Sequence, residues 1–407
     1  FTYDELWARC SQLVGALRNL GAEKGDRIAI LANNSHQYFE AYMGIPAGGM
    51  VVVPLNTRHA LPELLYALED SGAKILLTDR SDIGPLQGSV DRVISLDEQY
   101  EELLAGAEQA PLGEDSDEED LAGLFYTGGT TGASKGVMLT HRNLIANAFN
   151  WLSAVPQSPN DRSLVMAPMF HAAGSNGILA AIWQGSCQVA LNTFEPKTVL
   201  QLIEKHKINI TLGVPSMLSA IAEEQHVNPK DVSSLKILAH GGSPIATEVI
   251  KRCSQAFTSA QMVEVYGATE TSPLATLLGN EEQLIDDPKA RSCGRSVIGC
   301  AITICAPEGH ALPTGEVGEV VVSGANIMKG YWNKAEQTAA VLKGGGYWTG
   351  DLGYLDTQGY LFLVDRSKDM IVSGGENVYS TEVEDILYKF PGVLEAAVFG
   401  VPDQKWG

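Results

Sequence analysis

The sequence predicts an α/β protein with a large N-terminal domain of two stacked α/β sheet subdomains plus a small β-barrel-like subdomain, followed by the start of a small α+β C-terminal domain. Three observations carry this reading. Helical patterns alternate with short β-branched runs up to about Gly279, the texture changes near Arg291 to short strands separated by Gly and Pro, and a new helix-and-strand pattern begins past Asp365.

Thr2-x-x-Glu5 forms a capping box in front of an amphipathic helix that stops at Gly21. The runs at residues 28–31, 50–53, 74–77 and 92–94 then alternate with helical stretches, so residues 1 to about 110 read as one α/β layer around a mostly parallel sheet. Carboxylates crowd residues 114–120, and with nothing to fix their geometry a solvated linker is favoured over a metal site. A second α/β layer is expected from Leu121 to about Gly279, with helices at residues 141–152 and 196–206. Residues 301–304, 319–322 and 360–363 are short strands of the β-rich unit. Beyond it, Thr381-x-x-Glu384 caps a helix and residues 396–399 make a strand.

A chain of 407 residues with 45% hydrophobic content exceeds the size at which one core stops growing, roughly 250–300 residues, so more than one domain is expected. The 28 basic and 49 acidic residues leave a net charge of −21, which repels nucleic-acid phosphate and anionic lipid and excludes generic nucleic-acid binding. The six cysteines form no Cys-x-x-Cys pair and have no histidine at zinc-ligand spacing, as expected for reduced thiols of a cytoplasmic protein. No run of about 18 apolar residues is present to span a membrane. The abrupt start at Phe1 and stop at Gly407 read as the ends of a fragment.

The most informative segment is YTGGTTGASKG at residues 126–136. Glycines let backbone N–H groups wrap phosphate oxygens, threonines add hydroxyl donors and Lys135 adds charge, which makes the segment a phosphate loop placed between an apolar strand and a helical pattern. It is not a Walker A motif, because Ser134 precedes Lys135 and Gly136 follows it.

Here the chain resembles the adenylate-forming (AMP-binding) superfamily, in its acyl-CoA synthetase branch. PMFHAAG (168–174), GGSPI (241–245), VEVYGATET (263–271), GYWTGDLG (346–353) and DRSKDMIVSGGENVYSTEVE (365–384) follow the phosphate loop in that family's order. The resemblance implies an AMP-binding domain over residues 1–365 and, over 366–407, the beginning of a mobile C-terminal lid. It further implies that Thr127, Gly128, Gly129, Thr130, Thr131, Gly132 and Lys135 cradle phosphate. Gly242, Ser243 and Pro244 would hold adenine with Glu264, Val265, Tyr266, Gly267 and Ala268. Thr269 would donate to the α-phosphate and Glu270 would ligate Mg²⁺, a role suited to a hard oxygen ligand. Asp351 would accept both ribose hydroxyls, Arg366 would add a ribose or phosphate contact, Leu363 would line the base pocket, and Lys368 would be the hinge. His171 would orient and gate the carboxylate, while Ala172, Ala173, Gly174, Leu212, Val214, His240, Gly241, Gly267, Thr271 and Pro273 would border the acyl group. Gly128 departs from the serine of many members, and the family's late C-terminal lysine would lie beyond Gly407.

The implied reaction is attack of a carboxylate on the α-phosphorus of ATP, release of pyrophosphate, and transfer of the acyl group from the adenylate to coenzyme A. The acyl-lining segments carry no formal charge and no acidic residue follows His171, so a medium or long fatty acid or an aromatic acid is expected rather than an amino acid. Loading of a carrier-protein thiol and a non-catalytic nucleotide-binding module are the competing readings. The sequence leaves a homodimer open.

Overall fold

A computed structural model describes residues 1–114, 116–129, 132–175, 177–366, 371–373, 376–378, 380–387, 390, 393 and 396–401. The expected site residues Thr130, Thr131 and Lys368 lie outside these residues, as do the side chains of Gly129, Gly132, Ala173 and Arg366.

The capping box forms as read: the Thr2 hydroxyl accepts from the Glu5 N–H at 3.2 Å, and the Thr2 N–H donates to Glu5 Oε2 at 2.6 Å, opening the helix Tyr3–Asn19. The first sheet has seven strands in the order Gly330–Tyr331, Gly132–Thr140, Leu121–Gly129, Val51–Pro54, Arg27–Leu31, Ile75–Thr78 and Arg92–Ser95. Its four strands from Arg27 to Ser95 pair in parallel. Ile28, Ile30, Val52, Ile75 and Leu77 enter one core while Ala29, Leu31, Val51, Val53 and Leu76 enter another, so both faces are covered and the β-branched runs read as continuously apolar.

The hairpin of Leu121–Gly129 and Gly132–Thr140 belongs to this first sheet, through the parallel pair Val52 and Gly123, and not to the second layer as expected from the sequence. Leu124 and Phe125 are buried in the two opposite cores, so only the central sheet covers both. The second sheet runs Arg295–Ser296, Thr276–Gly279, Gln261–Tyr266, Ile237–Gly241, Ile210–Gly213, Arg162–Val165 and Cys187–Ala190, with its last five strands parallel. The third is the small β-rich unit, an antiparallel sheet of Cys300–Cys305, Gly318–Gly324, Gly346–Leu355 and Leu342–Lys343, with Leu361–Arg366 paired to Gly346–Leu355.

Buried asparagines join the three units. Asn34, past the Arg27–Leu31 strand, donates to the Ala167 carbonyl at 2.9 Å and accepts from the Met169 N–H at 2.7 Å. Asn143 donates to Ala325 and Ile327, each at 2.8 Å, and Asn147 accepts from the Leu274 N–H at 3.0 Å. Past Asp365, a short hairpin (Ile371–Ser373 with Glu376–Val378) precedes the helix Ser380–Leu387, which starts one residue before the expected cap Thr381. Residues 396–399 have no ladder partner among the described residues, and the expected strand does not form there. Among those residues no helix is long and apolar enough to cross a membrane.

Candidate active site

His171, Val214, Gly242, Ser243, Pro244 and Glu270 of the expected site follow the carboxyl ends of parallel strands of the second sheet, where open α/β sheets leave a crevice for ligands. Val165 leads into the turn that carries His171, Gly213 into Val214, Gly241 into Gly242, and Tyr266 into Glu270. Asn326 locks the last of these loops: its amide donates to the Thr271 carbonyl at 2.7 Å and the Leu274 carbonyl at 2.9 Å, while the Ser272 hydroxyl donates to the Asn326 carbonyl at 2.7 Å. Close packing fixes the glycines here. A Cβ on Gly267 would lie 1.8 Å from the Pro273 carbonyl oxygen, and one on Gly241 would lie 2.3 Å from the Val265 oxygen.

Glu270 is 9% exposed and accepts a 2.7 Å hydrogen bond from the Tyr331 hydroxyl. Lys135 places its ammonium 4.4 Å from the centre of the same ring, a cation–π contact. The lysine reaches it because Tyr331 pairs with Val137 across the hairpin, and the Met328 N–H donates to the Glu270 carbonyl at 2.9 Å. Burial, and then the Glu270 charge, hold the Tyr331 hydroxyl well above its ordinary pKa, so it stays a proton donor. Tyr347 lies close by, its hydroxyl raised first by burial and then by Glu270. Tyr331 was not legible as a site residue, since its Gly330-Tyr331-Trp332 segment has no charge or nucleophile to mark it. Tyr347 stands inside the GYWTGDLG motif, in which the charged Asp351 is the more evident binding residue.

The phosphate-loop segment also differs from its sequence reading. Strand continues on both sides of the tip, with Thr127 opposite Lys135 and Gly129 opposite Gly132, and the helix His141–Ala154 begins only after the second strand. Among the described residues, Lys135 and Thr127 stand beside the tip to meet an anion, and no helix dipole does. Val137 and Leu139 are buried in the first core and fit a strand, which explains the outcome.

On the other side of the crevice the Tyr266 hydroxyl donates to Asp351 Oδ2 at 2.7 Å, and burial followed by the Asp351 charge raises the tyrosine well above its ordinary pKa. Asp351 sits opposite Arg366 in the ladder, and Leu363 opposite Gly353. Gly242, Ser243 and Pro244 form an exposed rim, Thr269 and Ala268 are half-buried, and Gly128 is exposed with open space where a Cβ would stand. His171 is reached by solvent although protein crowds it. Loss of solvation and the nearby Arg58 charge lower its pKa, which favours the neutral ring.

Ala172 is buried, Leu212, Val214 and Pro273 are half-buried, and Thr271 is buried with its hydroxyl engaged by the Ala268 backbone. His240, expected to border the acyl group, is instead fully enclosed. Its Nε2 lies 2.6 Å from Glu281 Oε2, and both side chains are 0% exposed. Burial lowers its pKa, but the Glu281 carboxylate outweighs burial and raises it. Glu264, its partner across the ladder, is pushed by burial up to about 7.

Among the described residues no three His, Cys, Asp or Glu side chains gather as a metal cluster. A single carboxylate such as Glu270 suits Mg²⁺, which keeps its waters and takes further oxygens from substrate phosphates.

Residues 1–332 match the AMP-binding enzyme family. The whole chain aligns with 82% of a feruloyl-CoA synthase from Amycolatopsis at 38% identity, and with 81% of a long-chain-fatty-acid–CoA ligase from Mycobacterium tuberculosis at 34%. The structure is similar to that of o-succinylbenzoate CoA synthetase from Bacillus subtilis in complex with its acyl-adenylate intermediate, with a TM-score of 0.91 and 33% identity, covering all of this chain and 82% of that one.

Proposed function

The chain belongs to the AMP-binding enzyme family and is an adenylate-forming acyl-CoA ligase, and from that premise we propose that it activates a neutral medium or long fatty acid or an aromatic acid, with ATP and Mg²⁺, and passes the acyl group to coenzyme A. The observation that carries the reading is the tie of Lys135 and Glu270 through Tyr331, beside the Tyr266–Asp351 pair, with Tyr347 near enough to feel the charges of both Glu270 and Asp351.

The acid and ATP must meet in line and shielded from water. His171, kept neutral by crowding and Arg58, orients the carboxylate without adding charge beside the phosphates. The carboxylate oxygen attacks the α-phosphorus as the bond to pyrophosphate breaks, and negative charge builds on the phosphate oxygens. Lys135 and the Thr269 hydroxyl stabilise that charge as preorganised donors. Glu270 holds Mg²⁺, which when bound supplies further charge stabilisation, and the Tyr331 hydroxyl fixes the carboxylate that holds it. Tyr266 backs the adenine site and orients Asp351 for the ribose hydroxyls.

Gly242, Ser243 and Pro244 form the adenine rim with Leu363, and Arg366 is assigned the further ribose or phosphate contact. Ala172, Gly174, Leu212, Val214 and Pro273 present no charge to the acyl chain. Residues 1–365 are assigned to the adenylating domain and 366–407 to the start of a lid that turns about Lys368 between half-reactions. The six free cysteines support a cytoplasmic location.

The test is pyrophosphate and AMP release by the full-length protein with short, medium, long and aromatic acids, with and without coenzyme A. Coenzyme-A-dependent turnover of one acid class is the expected result. Pyrophosphate exchange with no coenzyme A thioester would shift the acceptor to a carrier-protein thiol, and no exchange with any acid would overturn the reading.

A further inference from the structure

The helix Leu61–Ser71 turns one carboxylate inward. Asp70 follows the exposed Glu69 near the end of that helix, yet its own side chain is only 11% exposed. A carboxylate taken out of water is destabilised unless partners replace its hydration. Those partners come from the two segments that carry the lysine and the tyrosine of the site. Asp70 Oδ2 accepts from the Tyr126 hydroxyl at 2.7 Å, and Oδ1 lies 3.4 Å from the Lys334 ammonium. The Asp70 carbonyl accepts from the Trp332 indole N–H at 2.9 Å.

Each contact leads on to the site. Tyr126 opens the glycine-rich segment and stands opposite Gly136 in the hairpin, beside Lys135. Trp332 follows Tyr331, and its backbone N–H donates to the Gly136 carbonyl at 2.8 Å. Lys334 reaches Tyr331 through Thr338: the Tyr331 N–H donates to the Thr338 hydroxyl, which donates to the Lys334 carbonyl, both at 2.9 Å. One carboxylate thus grips both the hairpin of Lys135 and the strand of Tyr331, whose spacing sets the line from Lys135 through Tyr331 to Glu270. Packing supports the grip, since the Tyr66 and Tyr126 rings meet edge to face with centres 6.4 Å apart. Burial, and then the bond to Asp70, raise the Tyr126 hydroxyl well above its ordinary pKa and keep it a donor.

We propose that Asp70 is a positioning residue for adenylation, which sets the distance between Lys135 and Glu270 and with it the hold on magnesium and the phosphates. This rests on the ligase reading and adds a residue that acts through Tyr126, Trp332 and Lys334.

Asp70→Ala removes the carboxylate and leaves a residue that suits a helix, and Tyr126→Phe removes only the hydroxyl that meets it. Pyrophosphate release is measured in both as ATP and magnesium are varied. In each, the magnesium concentration for half-maximal rate is expected to rise about threefold or more, with kcat/KM for ATP lowered roughly tenfold, the scale of one hydrogen bond to a charged group. Asp161→Asn is the structural control. It weakens a comparably buried ion pair in the second sheet, the 2.7 Å contact of Asp161 with Lys236, and should lower the melting temperature while leaving both quantities near those of the parent. Added to Tyr331→Phe, Asp70→Ala is expected to lower the rate by less than about twofold further, because residues of one network are not additive.

A lower melting temperature with unchanged magnesium and ATP dependence in both variants makes Asp70 an ordinary helix anchor and overturns the proposal, as does full additivity with Tyr331→Phe. Should Asp70→Ala not fold, Tyr126→Phe alone decides between these outcomes. Silence of the parent with every acid condemns the ligase reading instead. Thermal stabilisation by ATP as magnesium is added, read without turnover, then tests the proposal by itself: weaker stabilisation of the two variants than of the parent supports it, and equal stabilisation sinks it.

Discussion

Tyr331 and Glu270 share a 2.7 Å hydrogen bond, and through it the loop that ends the Gln261–Tyr266 strand is held to the hairpin that carries Lys135. The two charged groups come from different sheets, and a tyrosine between them sets their spacing. One face of its ring meets the lysine and its hydroxyl meets the carboxylate, so neither charge can move without disturbing the other.

Glu270→Gln is expected to lower magnesium-dependent pyrophosphate release by at least about a hundredfold while leaving the melting temperature nearly unchanged, because the amide keeps the shape and loses the charge. Tyr331→Phe is expected to cost roughly tenfold or more, the scale of one hydrogen bond to a charged group, with a rise in the magnesium concentration needed for half-maximal rate. Unaltered magnesium dependence in both variants would remove Glu270 from the metal.

Lys135→Met should slow adenylation by about 10²–10³, the usual loss when one preorganised group facing developing charge is removed. Gly128→Ser should do the opposite on a small scale. Nothing stands within 4 Å of a Cβ at that position, so the serine fits without strain and adds a hydroxyl donor near the hairpin tip. A drop in KM for ATP of up to a few fold is the expected result, and a lower melting temperature would show that the open space is misread.

Much of this site was legible because its chemistry is local in the chain. Lys135, Thr269, Glu270 and Asp351 each sit in a short motif with glycines around it, and motif order survives without knowledge of the sheets. Tyr331 escaped because its importance is tertiary: it matters only when the Gly330–Tyr331 strand pairs with the edge of the hairpin, and nothing near it in the sequence says so. Residues 126–136 of the hairpin read as a loop because glycines and threonines suit a phosphate loop and a β-turn equally well. The buried alternation of Val137 and Leu139 was the overlooked signal. His240 misled for a related reason. Its place beside Gly241 marked it as a wall residue, whereas its side chain points into the protein to meet Glu281, some forty residues on.

Asn326 should be critical to both stability and turnover. Asn326→Ala would leave the Thr271 and Leu274 carbonyls buried without donors and loosen the loop that presents Glu270. Each unsatisfied buried group costs about 1–3 kcal/mol, so a loss of roughly 2–6 kcal/mol is expected in chemical denaturation. Adenylation should fall further than the folded fraction does. Full specific activity in the folded fraction would mean the loop holds its shape without this amide.

Glu264 and His240 make a pH prediction with a definite sign. The Glu264 carboxyl has an ordinary pKa of 4.5 and is pushed to about 7 in the fold, chiefly by burial and further by Glu281, against the opposing pull of His240. Between those values the folded chain retains a proton that the unfolded chain has released, so the stability tied to this group is complete below about 4.5 and is lost as pH rises through 7. His240 acts in the same direction, since Glu281 raises its pKa above the ordinary 6.5 and its proton too is held more tightly in the fold. Glu264→Gln keeps the shape and removes one titration. Melting temperatures of the parent and the variant, taken from pH 5 to 8, should therefore differ by an amount that moves with pH, the parent losing ground to the variant by a few degrees toward pH 8. A constant difference across that range would mean that Glu264 is already ionised in the fold at pH 5.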